Sequence, residues 1–198
     1  MHQPRLVLAT LACTLFLASG PGLAQEAQVH EVPVKIAGGK TITVKLTKTG
    51  FAPAEDDRVI ITGVVLQVGL SSRDKKRPAL YWSFSFRPKT EDEIASVSVT
   101  NVFPGDPEVL LHADNAPRLR QGQWIGVIEN GDPDGRENLW LQAKGNMFFV
   151  FRFDVNFRDG RTTTLHQMAG FTEGDKTSAL THTRLLREKA AREDAAGR

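Results

Sequence analysis

The segment 147–166, MFFVFRFDVNFRDGRTTTLH, carries the strongest evidence of fold class in this chain. From Met147 to Phe157 one set of alternate positions holds only large apolar residues, while Arg152 and Asp154 fall in the other set. A period of two residues is typical of a β-strand with one face in a core. Asp159-Gly160 follows directly, and 162–166 resumes an extended pattern. Because an Asp-Gly pair favours a tight turn between strands, this order predicts a β-hairpin.

The N-terminal part of the chain repeats this arrangement. Apolar and polar residues alternate over 29–36 and again over 42–46, and a glycine-containing turn at 37–40 separates the two runs. We expect a second β-hairpin here.

The middle of the chain supplies further strand patterns. The run 59–70 is almost continuously apolar and β-branched, so we expect a strand buried on both faces, with a bulge at Gly63. In 80–86, leucine, tryptophan and two phenylalanines form one face, which we expect to line the core. Shorter strands are predicted at 94–103, 109–112, 124–128 and 139–142.

Together these patterns predict an all-β protein. About nine or ten strands separated by turns are typical of an antiparallel β-sandwich, immunoglobulin-like or related, and we assign it to residues 25–175. No helix is expected before Thr177. Residues 176–198 are a charged tail, in which 178–196 is either a terminal helix or disordered. The apolar residues available to such a helix are few: Leu180, Leu185 and Leu186.

The first 24 residues have the pattern of a cleavable secretory signal. Arg5 supplies a cation, residues 6–18 are apolar apart from two threonines, and Gly22-Leu23-Ala24 offers small residues to a signal peptidase. The apolar run is shorter than the roughly 20 residues that a spanning helix needs. We expect cleavage after Ala24, or alternatively after Ala27, no transmembrane anchor, and a periplasmic or secreted protein.

The composition of the remaining chain excludes several functions. The only cysteine, Cys13, lies in the signal segment, so thiolate catalysis, disulfides and cysteine-ligated zinc are excluded from the mature chain. Without Arg5, 24 of the 25 basic residues remain against 23 acidic ones, too even a balance for nucleic acid binding. The sequence also contains no Asn-x-Ser/Thr acceptor. These features favour a bacterial envelope protein over a eukaryotic secreted one.

One turn has features of a calcium loop. Asp132 and Asp134 precede Gly135, and Glu137 follows closely. Hard oxygen ligands two residues apart before a glycine are what a Ca²⁺ loop uses, although the further ligands of a complete loop are missing or misplaced. Calcium at Asp132, Asp134 and Glu137 is therefore one hypothesis, and an ordinary turn around Pro133 is the other. No other cofactor is expected.

A basic loop is the second candidate site. Arg73, Lys75, Lys76 and Arg77 lie within five residues. They could present an anionic-ligand patch, for an acidic partner or for a membrane surface. A solvated loop explains the same residues.

The sequence contains no recognisable catalytic motif. Its histidines lack the spacing of a metal pair, and a triad of a serine with His112 and Asp114 has no supporting context. We expect a non-catalytic binding or accessory module that contacts an envelope or extracellular protein through loops or a strand edge. The alternatives are a secreted hydrolase with a loop-assembled site and a small-ligand carrier with an apolar barrel interior.

Overall fold

The computed structural model describes residues 29–47, 50–103 and 107–196. The predicted signal peptide lies outside these residues. The strands are β1 (His30–Lys35), β2 (Thr41–Thr47), β3 (Gly50–Phe51), β4 (Val59–Leu70), β5 (Pro78–Pro88), β6 (Ile94–Asn101), β7 (Val109–Asp114), β8 (Trp124–Glu129), β9 (Met147–Phe157) and β10 (Thr162–Phe171). Two short 3-10 helices cover Ala37–Gly39 and Arg136–Leu141, and one α-helix, α1, covers Glu173–Ala196.

Two antiparallel sheets face each other as a β-sandwich. One sheet has the strand order β4-β5-β8 and the other β10-β9-β6-β7. If β4 is counted as strand 1, the three-stranded sheet has the strand order 1-2-5 and the four-stranded sheet has the order 7-6-3-4. This order is related to that of the immunoglobulin constant type, in which the fourth strand joins the first sheet instead. The predicted all-β sandwich is thus confirmed.

Alternate residues of the central strands fill the space between the sheets. Phe84 of β5 and Phe151 of β9 are fully buried, and their ring centroids lie 5.2 Å apart across the sandwich. Trp82 joins them at 5.0 Å from Phe151. Burying one such aromatic side chain stabilises the fold by about 2–3 kcal/mol. The aromatic faces predicted at 80–86 and 147–157 therefore form the core.

A third sheet, β1-β2-β3, lies beside β10. The tip of its first hairpin packs against the four-stranded sheet, where the Ala37 N–H donates to the carbonyl of Val102 over 3.0 Å. The buried side chain of Gln167 on β10 accepts a 2.7 Å hydrogen bond from the Ala54 N–H and donates one to the carbonyl of Ala52. Through these contacts, residues 52–54 cover part of the gap between the edges of β4 and β10.

The α-helix begins with a capping box. Thr172 Oγ1 accepts a hydrogen bond from the Asp175 N–H, while the Asp175 carboxylate accepts from the N–H and hydroxyl of Thr172. This reciprocal arrangement satisfies the first free donors of a helix. One turn later the buried Lys176 ammonium donates to the carbonyls of Ala143 and Gly145. The helix is thereby fixed to the loop before β9.

Four local predictions are wrong. Helices do occur before Thr177, because α1 begins at Glu173 after its capping box and two 3-10 helices lie earlier in the chain. Residues 139–142 are not a strand, because Trp140 and Leu141 turn through a 3-10 helix that stacks Trp140 on Trp82 at 6.1 Å. Strand β4 is not buried on both faces, since Val65 is exposed on the outer side of the sheet. In α1, Leu185 is exposed, whereas the inward face carries Ala179, Leu180, Thr183, Leu186 and Ala190. The predicted bulge at Gly63 is confirmed by the register shift between Ile61 and Gly63.

Candidate binding edge at strands β7 and β8

The two sides of the sandwich differ in how their strand edges are covered. On one side, residues 52–54, the third sheet and α1 lie against β4 and β10. On the other side lie β7 and β8, and no strand in the described part of the chain pairs with the outer edge of either. An open edge presents unpaired backbone N–H and C=O groups to any extended segment that approaches it.

Strand β8, WIGVIE, carries an apolar outer face along this edge. Trp124, Gly126 and Ile128 point into the sandwich, so Ile125 and Val127 point outward and are 50% and 53% exposed. Val65 continues the face on β4, because Val65, Ser83 and Val127 lie opposite one another across the three strands. We call Val65, Ile125 and Val127 the edge patch. No charged residue interrupts β8 before Glu129.

Trp124 holds β8 against the other sheet. Its indole Nε1–H donates a 2.9 Å hydrogen bond to Oδ2 of Asp114 on β7, and its ring centroid lies 5.5 Å from that of His112. The ring also covers Gly126: a Cβ built there would lie only 2.8 Å from Cζ2 of Trp124. Glycine at 126 therefore allows the indole to fill the seam between the two edge strands.

Glu129 fixes the C-terminal end of β8. Its carboxylate accepts hydrogen bonds from the Ser71 hydroxyl at 2.6 Å, from the Ser72 N–H at 2.9 Å and from the Tyr81 hydroxyl at 3.2 Å. The hydroxyls of Ser71 and Ser72 are the main reason that the pKa of Glu129 falls to about 2. The carboxylate thus ties β8 to the loop that follows β4.

A tight turn fixes the N-terminal end. The Arg120 N–H donates to the Gln123 carbonyl at 2.7 Å, and the Gln123 N–H donates to the Arg120 carbonyl at 3.0 Å. Between them Gln121 and Gly122 both have positive φ angles, 52° and 75°. Two such residues in succession are those of a type I′ turn, in which Asn, Asp or Gly usually precedes the second glycine and a glutamine is uncommon. The turn keeps Arg118, Leu119 and Arg120 exposed beside the start of β8.

The carboxylates of the candidate calcium loop contact a cation of α1. The guanidinium of Arg187 lies 2.9 Å from Asp132 and also contacts Asp134. The side chain of Glu137 lies outside the described residues. Among the side chains that are described, no group of three or more histidines or acidic residues has a metal-binding arrangement. Calcium at this turn stays a prediction.

The basic loop 73–77 is exposed, and some of its charge is used within the chain. Lys76 forms an ion pair with Asp194 of α1, and Arg77 lies 3.1 Å from Asp74. The anionic-ligand patch at Arg73, Lys75, Lys76 and Arg77 also stays a prediction.

Several polar groups suited to hydrolysis have structural partners. Asp114 accepts hydrogen bonds from Trp124 and from the Ala116 N–H, which hold its pKa below the usual value. Surface cavities of about 530 and 500 Å³ lie between β4, β10 and the start of α1. Their polar side chains include Gln167, Asp175 and Lys176, whose hydrogen bonds within the protein are described above. Ser178 and His182 also line the second cavity, but no hydrogen bond joins the serine to the histidine.

Comparisons with known proteins give no family. A scan against models of protein families finds no match, and searches of curated proteins and of solved structures find no significant one.

Sequence reasoning did not single out Ile125 and Val127 as a binding surface. The signal was present as a charge-free β-branched run after Trp124. The sequence does not show, however, that β8 lies at a sheet edge. That position depends on β8 pairing with β5, from which the 35 residues 89–123 separate it.

Proposed function

We propose that this protein is an exported, non-catalytic binding module of the bacterial envelope, and that β8 is its binding edge. In this mechanism an extended segment of a partner protein adds to β8 as a further strand. The observation that supports it most is the open edge of β8 with the exposed Ile125 and Val127 on its outer face.

The geometry of β8 suits this mode of binding. Its two ends are held by the Glu129 cluster and by the turn at 120–123, and Trp124, its first residue, anchors it to β7. A strand that is already fixed in its bound conformation loses little entropy when a partner pairs with it. Each backbone hydrogen bond that forms then contributes about 0.5–1.5 kcal/mol, and the edge patch adds apolar contact.

The two alternatives are less well supported. A carrier needs an internal cavity, whereas the interior here is filled by buried rings such as Phe84 and Phe153. A hydrolase needs a nucleophile bonded to its base, and no hydrogen bond joins Ser178 to His182, which line the cavity beside α1. Export to the envelope is inferred from the signal pattern of residues 1–24. Within the described residues there is no helix with the length and apolar character to cross a bilayer.

Crosslinked capture from the native envelope fraction tests the proposal. Three mature proteins are compared: the wild type, Ile125→Lys/Val127→Lys, and the control Thr162→Lys/Thr164→Lys. The control adds two charges to the exposed outer face of the other sheet. We expect the same partner with wild type and control and its loss with the β8 variant. Equal capture by all three folded proteins contradicts a binding role of β8.

A further inference from the structure

The charged residues around β8 are distributed unevenly. Arg118 and Arg120 lie in the turn region before the strand and are exposed. Arg87 lies at the same end, because Ser85 is opposite Ile125 and Arg87 comes two residues further along β5. None of these three guanidinium groups forms an ion pair with a carboxylate in the described part of the chain.

The other end of β8 has a different character. Here the basic loop 73–77 is partly neutralised by Asp74 and Asp194, and Glu129 adds a carboxylate of its own. The strand edge therefore runs from a start with three guanidinium groups that have no ion pair within the described residues to an end at which two of the four loop cations, Lys76 and Arg77, are paired. A segment that pairs with β8 experiences this difference along its length.

From this distribution we infer the chemistry of the partner. It is an extended peptide segment that carries carboxylates at the positions that contact Arg118 and Arg120. This inference rests on the proposed pairing at β8. In antiparallel pairing, which is the pairing found in all three sheets, these residues lie at the C-terminal end of the segment. Guanidinium groups bind carboxylates through charge-assisted and often bidentate hydrogen bonds.

A strained turn holds Arg120 in place. Gln121 adopts a left-handed conformation that costs a non-glycine residue about 1 kcal/mol. This conformation closes the turn that holds Arg120 at the start of β8. Backbone strain of this kind occurs preferentially at binding and active sites.

Two synthetic peptides test the inference. Both have ten residues, alternate valine and threonine, and are amidated, and they differ only in ending with two aspartates or two lysines. Fluorescence anisotropy measures their binding to the mature protein at low and high salt. We expect the aspartate peptide to bind at least tenfold more tightly, with a smaller difference at high salt, because exposed charge pairs are screened.

Matched variants locate the effect. Arg118→Glu/Arg120→Glu should abolish the preference for the aspartate peptide. Arg73→Glu/Lys75→Glu makes the same change in net charge at the other end of β8 and should retain it. Equal binding of the two peptides, failure of both to bind at millimolar concentration, or a preference that disappears only in the second variant overturns the inference.

The same experiment separates this inference from the proposed function. If both peptides bind equally and Ile125→Lys/Val127→Lys abolishes their binding, pairing at β8 holds and the carboxylate inference is wrong. If that variant binds both peptides as the wild type does, pairing at β8 is wrong as well.

Discussion

The indole nitrogen of Trp124 donates a 2.9 Å hydrogen bond to the carboxylate of Asp114, and so connects the two edge strands of the sandwich. The two strands belong to different sheets, so the bond joins the sheets at the side where the edges are open. Trp124 is buried while its neighbours Ile125 and Val127 are exposed. The contact therefore fixes β8 on its core-facing side and leaves its outer face available.

Removing the acceptor of this bond should destabilise the protein. Asp114→Ala leaves the buried indole N–H without a protein acceptor, which costs about 1–3 kcal/mol of unfolding free energy. Asp114→Asn keeps a carbonyl oxygen at the same place and should cost about 1 kcal/mol or less. Urea unfolding measures both. If the two variants lose the same free energy, the hydrogen bond is not what Asp114 contributes.

Gly126 should not tolerate a methyl group. In Gly126→Ala the new Cβ meets the Trp124 ring and, at 3.1 Å, the ring of His112. Overpacking of this kind costs about 1–3 kcal/mol. Gly174→Ala is the control, because in the first turn of α1 a Cβ meets only Thr172 Oγ1 at 3.5 Å. That variant should be more stable than the wild type, by about 0.5–1 kcal/mol. Thermal unfolding measures the Tm of both variants. A wild-type Tm for Gly126→Ala would contradict the packing described.

The left-handed conformation at Gln121 predicts a stabilising substitution. Gln121→Gly removes the steric cost of a positive φ angle and should raise the free energy of unfolding by about 0.5–1 kcal/mol. Gln123→Gly should have the opposite effect, since Gln123 is in a bridge with Arg120 and donates a hydrogen bond to Thr62. Chemical denaturation compares the two. A loss of stability in Gln121→Gly would show that the turn does not carry this strain.

The Glu129 cluster predicts a dependence of stability on acid. The pKa of the Glu129 carboxyl is about 2 in the folded protein and 4.5 ordinarily, so the folded state favours the ionised carboxylate. This contribution is complete above pH 4.5 and declines as the pH falls from 4.5 towards 2. Glu129→Gln should therefore be less stable than the wild type at neutral pH, and the difference should shrink over that window. A difference that is independent of pH between 2 and 7 argues against these hydrogen bonds.

How much of the structure could be predicted depends on the kind of signal. The alternation over 147–157 is strict, and β9 begins and ends at those residues. The short apolar run at 139–142 is ambiguous by period alone, and its 3-10 helix depends on the contact of Trp140 with Trp82. The start of α1 carried a readable signal, because Thr172 and Asp175 have the spacing of a capping box.

The candidate site depended on contacts between distant parts of the chain. Asp132 and Asp134 have the local pattern of a calcium loop, but their contact with Arg187 joins residues more than 50 positions apart. Likewise, the residues of β8 show a strand, and only the sheet order shows that its edge is open. Local patterns predict strands and turns, whereas an edge is a property of the assembled sheets.

Site-specific photo-crosslinking tests the central claim most directly. A photoreactive phenylalanine derivative replaces Val127 on β8 or, as the control, Thr164 on the outer face of the other sheet, and the proteins are irradiated in the native envelope. We expect one reproducible crosslinked partner from position 127, attached through an extended segment, and none from position 164. A partner crosslinked equally well from both positions, or from position 164 alone, would contradict β8 as the binding edge.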